Sequence, residues 1–173
     1  MWLWIILGLL LFFGFMVFTG APYVPSKPRE VRGALTDLYP LGPADTLVDI
    51  GSGDGIVLRI ASSYGAVAVG YEINPLLVLI SRLLAHGNRG VTTHLANFWN
   101  AQLPDTTTVV YTFGDARDIT KMYKKVQQEA TRIGHDICFI TYAFEIPGIT
   151  PEQTVRAHHR YTLKPLQSSA RQV

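Results

Sequence analysis

A glycine-rich turn between two apolar segments constrains the fold of this chain more than any other feature. Residues 48–55 read Val-Asp-Ile-Gly-Ser-Gly-Asp-Gly, with a glycine at every second position from 51 to 55. The apolar run at 46–50 predicts a buried strand, and 56–64 has the apolar spacing of an amphipathic helix. Glycines permit positive φ angles and let a ligand approach the backbone closely. Because the turn joins a strand to a helix, it lies at the carboxyl edge of the strand, where open α/β sheets bind ligands.

The remaining segments alternate between strand-like and helix-like periodicity. Further strands are predicted at 66–71, 91–95, 107–113 and 136–144, with helices over 28–39, 75–86 and 116–133. Thr162 and Leu163 suggest one last, short strand. Strands that alternate with helices indicate a parallel sheet covered on both faces.

The N-terminus carries an uncharged apolar run, Trp2–Phe18. At 1.5 Å per residue this run covers roughly 26 Å, close to the ~30 Å hydrocarbon core of a bilayer. No Lys or Arg precedes it, and it is longer than the ~7–15 apolar residues of a signal peptide. An uncleaved transmembrane anchor is therefore favoured over a signal peptide or a membrane-surface helix. Lys27, Arg29 and Arg32 follow the run, which predicts a single-pass protein with its C-terminal domain in the cytoplasm.

The composition indicates one compact domain beside this anchor. The 173 residues are 48% hydrophobic and carry a net charge of +2, which excludes a disordered chain and gives no indication of nucleic-acid binding. Cys138 has no partner for a disulfide, and the five histidines lack the spacing of metal ligands, so no metal is expected. We divide the chain into an anchor (1–19), a linker (20–28), a domain (29–165) and a tail (166–173). The predicted fold class is α/β, a Rossmann-like, doubly wound, mostly parallel sheet preceded by one N-terminal transmembrane helix.

An acidic residue stands at the end of the second predicted strand. Glu72 lies about 20 residues beyond the glycine turn, where a carboxylate can accept hydrogen bonds from both hydroxyls of a ribose. The Gly-x-Gly-x-Gly spacing differs from the Gly-x-Gly-x-x-Gly of dinucleotide sites. Asp49 and Asp54 flank the glycines and would repel a pyrophosphate. They would attract the ammonium and sulfonium of S-adenosylmethionine, which is therefore the predicted cofactor.

The motifs "VDIGSGDG" and "GYEINP" resemble motifs one and two of class I S-adenosylmethionine-dependent methyltransferases. With "PYVPS", "NFW" and "FEIPG", the chain is similar from about Pro22 to Pro165 to a small membrane-anchored group of these enzymes. That group includes the mitochondrial ATP synthase c-subunit lysine methyltransferase and its bacterial relatives. The resemblance implies a membrane-anchored protein-lysine N-methyltransferase whose acceptor is a membrane or membrane-associated protein.

The resemblance also assigns residues to the cofactor. Together with Ser52 and Asp54 of the glycine turn, the predicted cofactor-binding residues are Asp49, Gly51, Gly53, Gly55, Glu72, Ile73, Asn97 and Phe98. Among them, Glu72 would hold the ribose and Ile73 would flank the adenine, while Asn97 and Phe98 would meet the adenine edge. Asn97 stands where these enzymes often carry Asp.

Two carboxylates are candidates for removing a proton from the acceptor, because a lysine must be neutral before it attacks a methyl group. Asp115 follows the fourth strand and Glu145 follows the fifth. Asp115 is alternatively a helix cap, and Glu145 a solvated loop charge. Residues 111–115 lack the Asn/Asp-Pro-Pro-aromatic signature of adenine, cytosine and glutamine N-methyltransferases, which argues against those substrates. Two other functions stay open: a non-catalytic, membrane-attached cofactor-binding interaction module, and methylation of a lipid or other small molecule.

The C-terminal charges are all of one sign. After Glu152 every charged residue is basic, at Arg156, Arg160, Lys164 and Arg171. This pattern predicts either contact with anionic lipid headgroups near the anchor or a solvated basic tail.

Overall fold

The computed structural model describes residues 2–4, 6–8 and 26–166. Most of the predicted anchor, most of the linker and nearly all of the tail lie outside these residues. Within the described part of the chain, no helix is long and apolar enough to cross a membrane. Most of the predicted transmembrane helix, Trp2–Phe18, lies outside the described residues, so the anchor stays a prediction.

Residues 26–166 form seven strands and four α-helices. The strands are β1 (Thr46–Ile50), β2 (Val67–Glu72), β3 (Val91–Leu95), β4 (Val109–Thr112), β5 (Ile137–Tyr142), β6 (Gln153–Val155) and β7 (His158–Leu163). The helices are α1 (Pro28–Gly33), α2 (Ile56–Ser63), α3 (Pro75–Leu84) and α4 (Ile119–Ile133). A π-helical turn (Ala34–Leu38) continues α1, and a 3₁₀ turn (Phe98–Asn100) follows β3. The strands and helices predicted between residues 28 and 144 are present, with ends that differ by up to three residues; the helix predicted over 28–39 is the combination of α1 and its π-helical turn.

The strands form one mixed sheet in the order β3-β2-β1-β4-β5-β7-β6. The first five are parallel to one another, whereas β7 runs antiparallel to both β5 and β6. The C-terminal part of the prediction was incomplete, since Thr162 and Leu163 belong to a six-residue strand that is paired with a further strand. The reason is composition: Gln153 and Thr154 in β6 are exposed polar residues without an apolar alternation.

Helices cover both faces of the sheet and create two apolar cores. On one face, Leu35 from the π-helical turn and Leu58 from α2 are fully buried against Leu47 of β1. On the other face, Val126 of α4 packs in the core that contains Val48 of β1. Neighbouring residues of one strand thus enter opposite cores, as the alternation of strand side chains requires.

The parallel strands β1 to β5 all end at the same side of the sheet, which we call the carboxyl edge. Because β7 runs antiparallel to β5, His158 at its start pairs with Tyr142 at the end of β5 and lies at this edge. The start of α1 lies there too, because the Tyr142 hydroxyl donates a hydrogen bond to Glu30 Oε2 over 2.7 Å. The carboxyl edge thus brings together the glycine turn, the ends of the parallel strands and the beginning of the described domain.

Candidate active site

The glycine turn adopts the left-handed backbone that its sequence predicts. Gly51, Gly53 and Gly55 have φ angles of +73°, +53° and +77°. A Cβ at Gly55 would lie 2.2 Å from Ser81 Oγ, so α3 packs closely against the turn. A Cβ at Gly51 would meet nothing within 4 Å. The turn is therefore closed on its protein side and open where a ligand would lie.

Glu72 joins the turn to the end of β2. Its Oε2 accepts a hydrogen bond from the Gly53 amide over 2.9 Å, and its Oε1 accepts one from the Asn74 amide over 2.8 Å. A carboxylate has about four lone-pair positions, so each oxygen can accept a further bond from a ribose hydroxyl. The predicted pairing of the glycine turn with Glu72 is present in the structure as a direct contact.

A glycine inside β2 permits this close packing. A Cβ at Gly70 would lie 2.5 Å from Ser52 Oγ and 2.7 Å from Leu58 Cδ1. Only glycine at this position lets the turn lie against the strand. The hydroxyl of Ser52 is buried and has no hydrogen-bond partner among the described residues, which leaves an unpaired polar atom in the turn.

The charge around the turn is negative. Asp49 is 3% exposed, and burial, together with the negative charges of Glu72 and Asp54, raises the pKa of its carboxyl well above the usual range. No Lys, Arg or His among the described residues forms an ion pair with Asp49 or Glu72. A cationic ligand would relieve this repulsion, so the residues fit S-adenosylmethionine.

Asp54 is engaged within the protein. Its Oδ1 accepts a hydrogen bond from the Ile56 amide over 3.1 Å at the start of α2, and its Oδ2 lies 3.5 Å from Arg59 Nη2. The structure therefore places this carboxylate as a support of the turn, in addition to the cofactor role predicted for it.

A cleft of about 220 Å³ opens between the ends of β1, β2 and β3. Five predicted residues line it: Gly51, Glu72, Ile73, Asn97 and Phe98. The other lining residues were not predicted: Ile50, Tyr71, Ala96, Trp99 and Met122. Adjacent aromatic residues at 98 and 99 are a signal that could have indicated Trp99. Met122 comes from α4, and nothing local in its sequence points to the cleft.

Asn97 and Ile73, for which the resemblance predicts adenine contacts, both line this cleft. The Asn97 side-chain oxygen accepts a hydrogen bond from the Trp99 amide over 3.0 Å and so caps the 3₁₀ turn. Ile73 is 47% exposed, although it is apolar and adjacent to the buried Glu72. An apolar side chain exposed at the cleft offers a surface on which a planar base can lie.

The structure does not bring the two predicted proton acceptors into this cleft. Asp115 binds Arg117 through both carboxylate oxygens, at 2.6 Å for the shortest contact, and the Arg117 bonds lower the pKa of Asp115. Its Oδ1 also accepts a bond from the Arg117 amide over 2.8 Å in the turn before α4. The alternative of a helix cap is wrong, because the N-cap of α4 is Asp118 and no side chain caps this helix. The Glu145 side chain is 64% exposed and lies 3.8 Å from His159 Nδ1.

Sequence reasoning missed a network of aromatic residues at the ends of β4 and β5. The rings of Phe113 and Tyr142 lie 4.7 Å apart, and Tyr142 lies 4.6 Å from His158. The Tyr111 hydroxyl and His158 Nε2 form a hydrogen bond of 2.9 Å, and burial lowers the pKa of His158 to about 4. With Glu30 bonded to Tyr142, these side chains form a cluster at the carboxyl edge, which we call the aromatic wall.

The two adjacent histidines of β7 face different partners. His158 contacts Tyr111, whereas His159 Nδ1 lies 3.1 Å from Thr154 Oγ1. Among the described residues, no group of three or more His, Cys, Asp or Glu side chains could hold a metal ion.

Comparison with known proteins identifies the family. Residues 49–153 match the family model described as the ANTKMT methyltransferase domain. The chain belongs to this family. It is 33% identical over 142 residues to the ATP synthase c-subunit lysine N-methyltransferase of Rattus norvegicus, covering 77% of this chain and 60% of the relative. It is 38% identical over 88 residues to the adenine nucleotide translocase lysine N-methyltransferase of Mus musculus, covering 49% of this chain and 38% of that protein.

This ANTKMT-family chain spans 53% to 60% of the length of its c-subunit methyltransferase relatives. A structural neighbour is an RNA methyltransferase from Salinibacter ruber in complex with S-adenosyl-L-homocysteine. It aligns with a TM-score of 0.75 at 25% identity, covering 84% of this chain and 97% of the neighbour. The resemblance drawn from the motifs is confirmed, and so is the S-adenosylmethionine class of cofactor.

Proposed function

We propose that the chain is a membrane-anchored, S-adenosylmethionine-dependent protein-lysine N-methyltransferase whose acceptor is a lysine of a membrane or membrane-associated protein. The observation that carries the proposal is the cleft lined by Gly51 and Glu72, with the buried carboxyl of Asp49 at the end of β1 beside the glycine turn. The names of two groups of relatives, which specify the ATP synthase c-subunit and the adenine nucleotide translocase, support a protein-lysine acceptor. The apolar run Trp2–Phe18 supports the anchor, and the basic residues after it support a cytoplasmic domain.

The residues of the cleft bind and orient the two reactants. The cofactor, when bound, supplies an activated methyl group. Glu72 accepts hydrogen bonds from the ribose, Ile73 and Phe98 hold the adenine, and Asp49 offers negative charge to the cationic part of the cofactor. Alignment of nucleophile and methyl group can by itself supply several kcal/mol of the rate enhancement. The open backbone at Gly51 permits the required close approach.

The acceptor enters beside the aromatic wall at the ends of β4 and β5. An amine that approaches there meets the rings of Phe113 and Tyr142, which can attract it through their π faces. Its proton must leave before attack. Asp115 is a weak base because its Arg117 partner stabilises the carboxylate. The hydrogen bond from Tyr142 likewise lowers the pKa of Glu30, so Glu145 is the better route for the proton.

The test is methyl transfer in membranes that contain the full chain. Membranes are incubated with methyl-labelled S-adenosylmethionine, and label is measured in the protein, lipid, nucleic-acid and soluble fractions. We expect label on lysine in the protein fraction and none with Gly53→Arg, which places a large side chain in a left-handed turn. Label in lipid or soluble molecules would favour small-molecule methylation, and label in nucleic acid would favour an RNA acceptor. Cofactor binding without any transfer would favour the non-catalytic module.

A further inference from the structure

Three cations surround a hollow at the carboxyl edge, outside the cofactor cleft. The hollow has a volume of about 360 Å³ and is lined by Lys27, Arg29, Glu30 and Arg156. We call Lys27, Arg29 and Arg156 the cationic rim. All three residues are exposed, and no carboxylate of the described residues pairs with Arg29 or Arg156.

Glu30 does not neutralise this rim. Its Oε2 accepts the Tyr142 hydroxyl over 2.7 Å, and its Oε1 lies 3.4 Å from Lys27 Nζ. One carboxylate, already committed to two partners, faces three positive charges. The hollow therefore has an excess of positive charge and favours an anionic ligand.

Arg156 has a backbone conformation that is unfavourable for arginine. It lies in the tight connection between β6 and β7 with a φ of +56°, a left-handed conformation that glycine or asparagine adopts with less strain. The backbone of Ala157 in the same connection accepts a hydrogen bond from the Ala143 amide over 2.7 Å, which fixes the turn beside the end of β5. The strained turn holds the Arg156 cation next to Lys27, which precedes α1, and Arg29 in its first turn.

The rim also lies where the domain joins the apolar run. Only seven residues separate Phe18 from Ser26, and a chain of this length reaches at most about 28 Å in any conformation. A domain of about 140 residues has a radius of gyration of roughly 14 Å, so it is wider than this tether is long. If the run is embedded in a bilayer, this short tether keeps the side that carries residue 26 and the rim close to the surface.

We propose that the cationic rim binds the phosphate groups of anionic phospholipids and holds the carboxyl edge against the membrane. The proposal rests on the anchoring given under Proposed function. Arginine is suited to such contacts because its planar guanidinium can form two parallel hydrogen bonds with a phosphate. Nucleic acid presents the same phosphate chemistry, but the short tether favours the lipid surface. The docked edge is the one at which the cofactor cleft and the aromatic wall open.

The experiment measures hydrogen–deuterium exchange of the full chain in lipid nanodiscs. One set of discs contains phosphatidylcholine alone, and the other contains phosphatidylcholine mixed with phosphatidylglycerol. We expect slower exchange at residues 26–33 and 153–158 in the anionic discs, with the difference lost as salt is raised. The triple variant Lys27→Glu, Arg29→Glu, Arg156→Glu should lose the difference, because each cation removed weakens binding to an anionic surface roughly fivefold.

A matched variant places the same charge reversals elsewhere. Arg89→Glu, Lys121→Glu, Lys124→Glu changes three cations outside the rim and should retain the protection. Equal exchange in both kinds of disc for an inserted chain would overturn the docking surface while leaving the anchor intact. A chain that does not insert would contradict the anchor, and lipid binding by the rim would then be tested by flotation with vesicles of the same two compositions. Flotation that requires both phosphatidylglycerol and the three cations would support the proposal. No flotation with the anionic vesicles would overturn it. Protection of the same residues by polyuridylate but not by anionic discs would assign the rim to nucleic acid instead.

Discussion

Glu72 shows how one side chain can serve the fold and the ligand together. Its carboxylate accepts the amides of Gly53 and Asn74, and it keeps lone pairs directed to the cleft. Asp49 nearby is buried with a raised pKa and has no described cationic partner. The two acids therefore differ: Glu72 is held by hydrogen bonds, whereas the buried charge of Asp49 would be stabilised by a cationic ligand.

The first prediction concerns Glu72→Gln. An amide has only one acceptor oxygen, so its NH₂ group would face one of the two backbone amides that the carboxylate binds. We expect a loss of about 1–3 kcal/mol in the free energy of unfolding, as for an unsatisfied buried donor, and at least about tenfold weaker cofactor binding. Calorimetric titration and thermal unfolding measure the two effects. Asp136→Asn, the same change at an exposed residue before β5, is the control, and equal cofactor affinity in the two variants would contradict the site.

The second prediction concerns Gly55→Ala. The new methyl group would lie 2.2 Å from Ser81 Oγ at a residue with a φ of +77°. We expect a destabilisation above about 2 kcal/mol, since left-handed strain of about 1–2 kcal/mol adds to the clash. Gly134→Ala is the control, because Gly134 has a φ of +90° but open space around it. Adding Ser81→Ala to Gly55→Ala should restore part of the lost stability. Denaturant unfolding of the unaltered protein, the two single glycine variants and the double variant checks this. Equal stability of Gly55→Ala with and without Ser81→Ala would show that the Ser81 side chain does not cause the clash.

The elements that the sequence predicted well are those with a strong apolar period. The strand at Val91–Leu95 was predicted with its observed ends, and β1 and α2 could be placed from the glycine turn between them. The β6–β7 hairpin could not, because its edge strand is polar and its pairing is non-local. The same limit applies to the site. Glu72 was found from its spacing to the glycine turn, but Met122 reaches the cleft, and Glu30 reaches Tyr142, only because the folded sheet brings distant segments together.

The third prediction concerns the buried histidine of β7. Burial lowers the pKa of His158 from 6.5 to about 4. The unfolded chain therefore binds a proton that the folded chain does not, so the domain loses stability as the pH falls from about 6.5 to 4, by up to about 3 kcal/mol. His158→Gln keeps a hydrogen-bonding group beside Tyr111 and should flatten this part of the stability profile. Unfolding midpoints across this pH range check it against His86→Gln at an exposed residue, and parallel profiles for all three proteins would contradict it.

At the scale of the whole molecule, the described domain is self-contained. Both apolar cores, the cofactor cleft and the aromatic wall are formed within residues 26–166. The described residues before position 26, which are 2–4 and 6–8, do not line the cleft. The proposed anchor and the methyltransferase domain should therefore be separable.

The fourth prediction follows from this separation. A chain that lacks residues 1–25 should leave the membrane fraction and bind S-adenosylmethionine with unchanged affinity. Membrane sedimentation and calorimetric titration measure the two properties, with the full chain as the reference. If the shortened chain still sediments with membranes, the apolar run is not what anchors the protein; if it folds but no longer binds the cofactor, the cleft is incomplete without these residues.

The position at which the chain joins the domain has a kinetic consequence. A tether of seven residues that ends at the carboxyl edge would confine the site to a thin layer of the bilayer surface. Encounters with an acceptor in the same membrane would then be two-dimensional, and their frequency would follow the density of acceptor per unit of bilayer area. Diluting a suspension of vesicles with buffer would leave the methylation rate per vesicle unchanged, whereas diluting the proteins laterally with additional lipid would slow it.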